Sequence, residues 1–121
     1  MKRMWMRTST LAAALCAIPT VALAGGWKPL AAEGFRHFVV VDAAAAGSEA
    51  VFREAAASVC GAGKPCLVLF WSDEGKAATK MPMSGEQSQA IVAQIRRNPA
   101  SGQDELLTRC KTSEASERCL R

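Results

Sequence analysis

Histidine occurs once in the 121 residues, and aromatic side chains make up only 6% of them. The motifs that usually announce an enzyme are missing. The chain has no Gly-x-Ser-x-Gly, no His-Glu-x-x-His and no phosphate-cradling glycine loop. Gly61-Ala62-Gly63 is a fragment of such a loop and reads as a turn. No cysteine pair has the Cys-x-x-Cys spacing of a redox site or a zinc ribbon. The apolar stretch Leu11 to Leu23 is interrupted by Pro19 and is shorter than the roughly 20 residues a membrane-spanning helix needs.

What the N-terminus does have is the pattern of an export signal. Lys2, Arg3 and Arg7 precede the alanine-rich stretch, and Ala22-Leu23-Ala24 presents the small-x-small pattern that signal peptidase accepts. Cleavage is expected after Ala24. Cys16 is preceded by Leu15 rather than the small residue of a lipobox. Three of the 15 basic residues lie in this segment, so 12 face 11 acidic ones in the mature chain, a net charge of +1. The basicity of the precursor therefore belongs largely to the signal. A nucleic-acid or anionic-membrane surface is not expected, nor a membrane span after cleavage.

Cys60, Cys66, Cys110 and Cys119 remain. An even count in a small exported chain predicts two disulfides. Three connectivities are possible; nearness in sequence favours Cys60–Cys66 with Cys110–Cys119, whereas a bridge between the two pairs would close a longer loop and stabilise more.

The organising stretch is Cys66-Leu67-Val68-Leu69-Phe70-Trp71. A short apolar run between Pro65 and a Ser-Asp-Glu-Gly tail reads as a strand buried on both faces. Residues 25–34 have no periodicity and read as an irregular arm before a single domain over 35–121, with Trp27 a candidate for pinning it. Phe35 to Asp42 reads as a strand. Ser48 is placed to cap a helix whose apolar face carries Val51, Phe52, Ala55, Ala56 and Val59, with Gly61 as its stop. Strand, helix, strand suggests a parallel pair; an antiparallel sheet with a strand from Ala77 to Met83 is the alternative. Ser84-Gly85-Glu86-Gln87 is a capping box. It predicts a helix with Ile91, Val92 and Ile95 on its apolar stripe, Arg96 and Arg97 in its last turn and Asn98-Pro99 ending it. A short third helix is expected around Leu106, Leu107 and Cys110. The fold class is thus α/β or α+β, a sheet of two or three strands packed by about three helices and stapled by disulfides.

If the two strands are parallel, Asp42, Asp73 and Glu74 emerge at their C-terminal ends, where open α/β sheets tend to place ligands. Three carboxylates there could bind a divalent cation or serve acid–base chemistry, or could be solvated loop starters. Trp71 beside them is a candidate interface anchor or a core residue. His37, with no visible partner, is a candidate ligand or surface residue rather than a catalyst. No cofactor is called for.

Leu67 to Trp71, a loop, Lys80-Met81-Pro82 and a helix are similar to the central strand and active-site helix of thioredoxin. The Cys-x-x-Cys of that family is missing, so the likeness implies no disulfide chemistry. A broader pattern covers residues 52–110: Cys66, Phe70-Trp71, Pro82-Met83-Ser84, Gln87, Asn98-Pro99, Gly102 and Cys110. It resembles a family of small uncharacterised exported bacterial proteins, and implies no activity. Together these features point to a periplasmic or secreted, non-enzymatic binding protein whose partner is another exported protein. The alternative is a small enzyme or cation-binding module using the carboxylates.

Overall fold

A computed structural model describes residues 24–111 and 118–121. The predicted export signal, apart from Ala24, and residues 112–117 lie outside the described residues. The architecture is a five-stranded mixed sheet with one substantial helix, and this overturns the expected small sheet with three helices. Strands β1 (Trp27–Glu33), β2 (Arg36–Val41), β3 (Cys66–Trp71), β4 (Ile91–Asn98) and β5 (Gln103–Thr108) lie side by side in sequence order. Only β2 and β3 are parallel. The crossover between them is helix α1 (Glu49–Val59), capped by the Ser48 hydroxyl, which accepts from the Val51 N–H.

Three segments depart from expectation. Residues 25–34 are not an irregular arm, because Trp27 to Glu33 form edge strand β1. Pro29 sits there beside a bulge, where its missing N–H breaks no interior ladder. Gly34 (φ +60°) and Phe35 then turn the chain; a left-handed glycine followed by an ordinary residue suits a two-residue hairpin.

The second departure is the helix predicted over 85–97. The capping box forms as expected, with Gln87 N–H donating to Ser84 Oγ and Ser84 N–H donating to the Gln87 side chain. Helix α2 nevertheless covers only Gly85–Gln89, and the chain becomes β4 at Ile91. The register slips between Phe70 and Trp71, so that Trp71 faces Ile91, Phe70 faces Ala93, and Val92 is the extra residue. A bulge of this kind brings apolar residues to 91, 92 and 95, a spacing that also matches a helix face. Strand wins because β3 is buried on both faces and needs a hydrogen-bonded neighbour on each edge.

The third is the segment around Leu106 and Leu107, which is strand β5 and not a helix. The residues taken as a helix stop open the hairpin instead. The Ser101 N–H donates to the Asn98 carbonyl, the Ala100 N–H donates to Asn98 Oδ1, and Gly102 takes φ +73°.

The sheet buries both faces unequally. One carries Val39, Val41, Cys66, Val68, Phe70, Ala93 and Ile95 under Phe52, Ala55 and Ala56 of α1, with Trp27 and Leu106 at the margins. Phe52 and Phe70 meet at 4.9 Å between ring centroids. Full burial of each is worth about 1.5–3 kcal/mol. The other face, centred on Phe38, Leu69 and Trp71, has no long helix. Residues Ala77, Ala78, Met81, Met83 and Ala90 cover it, with Leu120 from the C-terminal tail. Trp71 is fully buried, and its indole N–H donates to the Gln87 carbonyl at 2.8 Å, fastening this cover to the sheet.

Both local disulfides form. Cys60–Cys66 ties the end of α1 to the start of β3, with the Cα atoms 5.7 Å apart. Cys110–Cys119 brings back the tail, whose Leu120 bonds to the backbone of Thr108 and Cys110. Arg109 adds a clamp: Nε donates to the Ile91 carbonyl at 2.6 Å, and one Nη donates to those of Ser88 (2.8 Å) and Gln89 (2.6 Å).

Candidate functional site

The two poles of the sheet differ in chemistry. At the C-terminal ends of β2 and β3, Asp42, Ser72, Glu74 and Lys28 line a shallow hollow of about 240 Å³. Asp42 and Glu74 thus share this hollow, and Asp73, expected with them, does not line it. Each carboxylate there has local work, however. Lys28 Nζ lies 2.8 Å from Glu74, and Asp73 Oδ1 accepts from the Gly75 N–H to cap a single helical turn. Asp42 is likewise engaged. No group of three His, Cys, Asp or Glu side chains stands together as a metal site among the described residues.

Trp71 takes the core role of its two predicted ones, since no part of it reaches the surface. His37 stands near the opposite end of β2 from Asp42. Five residue steps along extended chain separate them, about 16 Å, so the histidine cannot join the carboxylates. It lines a hollow of about 330 Å³ with Phe35, Gly61, Lys64 and Pro65.

That opposite pole holds a site the sequence did not disclose. Cross-strand register places one residue of each strand in a single row: Glu33, Arg36, Leu67, Arg96 and Glu105. The row lies on the face without the long helix, and the cover over Trp71 does not reach its centre. Arg96 is exposed, and Arg36 and Leu67 are half-buried. With Phe35, Pro65, Arg97, Asn98 and Gln103 they line an open hollow of about 350 Å³ at this end of the sheet, at the lower end of the range for ligand sites.

Its electrostatics follow from the ends of the row. Glu33 accepts from the Met81 N–H, and Glu105 pairs with Arg118. Arg97, on the helix face, pairs with Asp104, as does Arg53 of α1. The hydrogen bond from Arg53 to Glu49, reinforced by the charge of Asp104, raises the Arg53 pKa, so this network stays charged. Arg36 and Arg96 are left without an ion-pair partner among the described residues. The Arg36 guanidinium lies over the Phe35 ring, 4.7 Å from its centroid. Phe35 is 49% exposed, the one large apolar side chain so exposed among the described residues.

The rim of this hollow is held rigidly. The Leu67 N–H donates to the Phe35 carbonyl at 2.9 Å, and Cys66 beside it is fixed by the disulfide. Two sequence signals could have found the site: a lone Phe beside a glycine turn, and Arg96-Arg97, which had been assigned to a helix end. No family, curated protein or solved structure matches this chain.

Proposed function

We propose that this chain is an exported, disulfide-stabilised, non-enzymatic binding protein of the bacterial envelope, docking another periplasmic or secreted protein at the corner around Phe35. The observation that carries this reading is the exposure of Phe35 on a backbone that its neighbours immobilise. An apolar side chain half-exposed to water beside an arginine is a ready anchor for a partner, and pre-ordering lowers the entropy lost on docking. The two disulfides suit an oxidising compartment, and among the described residues no helix is long and apolar enough to cross a membrane. The carboxylate pole gives the rival cation or enzyme reading no support, since Lys28 and Gly75 engage Glu74 and Asp73.

The test expresses the precursor in a bacterium with a photo-crosslinking residue at position 35 or, as a control, at exposed Ala57 on α1. The recovered protein should begin at Gly25 by intact mass and resist alkylation until reduced. Position 35 should capture one discrete exported protein. Excess unlabelled protein should compete this product away, and Phe35→Ser protein should not. Free thiols in the recovered protein, or crosslinks equal at both positions, would refute the proposal.

A further inference from the structure

The row across the sheet says what kind of segment would fit. Arg36 and Arg96 stand on β2 and β4 with Leu67 of β3 between them. Neighbouring strands are about 4.8 Å apart, which puts the two arginine backbones about 10 Å apart on one face. Between them the floor is apolar, and Phe35 forms the wall beside Arg36. Among the described residues no carboxylate lines the hollow. The two acids at the ends of the row, Glu33 and Glu105, are directed to Met81 and Arg118. Arg36 and Arg96 over an apolar floor, with Arg97 also at the lining and the cross-strand neighbours Glu33 and Glu105 engaged elsewhere, complement a ligand that sets carboxylates and apolar side chains alternately along one face.

An extended peptide does this. Its alternate side chains point one way at about 6.7 Å intervals. Laid across β2, β3 and β4, it can turn carboxylates at positions i and i+4 toward the two arginines while an apolar residue at i+2, on the same side, meets Leu67. Arginine suits the task because its planar fork binds a carboxylate through two parallel hydrogen bonds. A membrane surface fits less well. Three arginines at the hollow and a mature charge of +1 fall short of the four to eight clustered basic residues that hold a protein on anionic lipid.

From this geometry we infer that the hollow between Arg36 and Arg96 binds an extended acidic segment of the partner protein. The inference rests on the binding-protein reading and specifies its ligand.

The probe is a fluorescent peptide of repeating Glu-Ser-Val-Ser, which sets Glu and Val alternately along one face, compared with its Gln-Ser-Val-Ser counterpart and with vesicles containing anionic phospholipid. Binding to the oxidised mature protein is read by anisotropy at low salt. The Glu-containing peptide should bind and the Gln-containing peptide should not. Arg36→Gln and Arg96→Gln should each weaken binding about 3- to 5-fold, as a partly exposed charge pair predicts. Together they should weaken it at least about 10-fold, and raised NaCl should act in the same direction. Lys76→Gln, at the other pole and exposed, should leave affinity unchanged, and melting curves should show the variants folded. Equal binding of both peptides, or equal loss in Lys76→Gln, overturns the inference. So does arginine-dependent binding to vesicles without binding to the peptide. If the peptide fails while the competed crosslink at position 35 persists, the acidic ligand is wrong and the binding-protein reading stands. Loss of both removes both.

Discussion

Arg109 offers the sharpest test of how the fold holds its less covered face. Its three donated bonds end on the carbonyls of Ser88, Gln89 and Ile91. The first two belong to the end of a five-residue helix, whose last carbonyls have no partners within the helix. A helix that short is not stable alone, so its place depends on the Arg109 clamp and the Trp71 bond. Hydrogen bonds to a charged donor are worth about 1.5–3 kcal/mol each when buried. Two of these three are exposed and open to replacement by water, which reduces the total to about 2 kcal/mol. Arg109→Met keeps the aliphatic stem and should lower the stability by that amount. In a domain of this size, about 2 kcal/mol is a melting temperature lower by roughly 8–16 °C. Arg109→Lys keeps the charge but not the fork, and should recover less than half of the loss. Because the acceptors are carbonyls rather than carboxylates, the effect should persist in 0.5 M NaCl, where a surface ion pair would fade. The assay is urea and thermal unfolding with the disulfides intact. A Met variant within about 0.5 kcal/mol of the parent, or a Lys variant as stable as the parent, would refute the clamp.

Two further outcomes follow from the core and the staples. Trp71→Phe removes the indole donor to Gln87 and some volume, and should cost about 2 kcal/mol in urea unfolding, against about 3–5 kcal/mol for Trp71→Ala. Replacing Cys60 and Cys66 together by Ser should cost roughly 2 kcal/mol, the chain-entropy value for so short a loop. It should also weaken capture at position 35, while the same change at Cys110 and Cys119 should cost similar stability and leave capture intact.

The stretch from β2 to β3 was legible because its signals do not conflict. Ser48, the stripe from Val51 to Val59 and Gly61 all specify one helix. The apolar run from Cys66 to Trp71 can only be a strand buried on both sides, and the parallel pairing with β2 follows from the intervening helix. The second half misled because each signal there serves two structures. Ile91, Val92 and Ile95 fit a helix face, yet they also fit a strand with a bulge at Val92. Asn98-Pro99 ends helices but also opens turns, and the bond from Ala100 to the Asn98 side chain shows the second use. β1 lacked a pattern because an edge strand with a proline and a bulge does not alternate cleanly. The Arg36–Leu67–Arg96 row could not be read at all, since it exists only through registers linking residues 60 positions apart in sequence.

The same logic explains why the candidate site moved to the other pole. Binding at the C-terminal ends of parallel strands depends on a switch point, where crossover helices leave on opposite faces and open a crevice between them. This sheet has one parallel pair and one crossover, and α1 covers a single face. Asp42 and Glu74 therefore meet over a shallow hollow rather than in a crevice, and Lys28 is near enough to pair with Glu74. With antiparallel strands on both sides of the parallel pair, neither end of the sheet is privileged by topology. What distinguishes the ends is cover. The segment after β3 folds back across the Trp71 end of the open face, anchored by Trp71 and Arg109, and among the described residues the Leu67 end has the thinner cover, with Arg36 and Leu67 half-buried and Arg96 exposed. The open row is therefore set by where the chain spends its loop, and Arg36 and Arg96 have no ion-pair partner among the described residues.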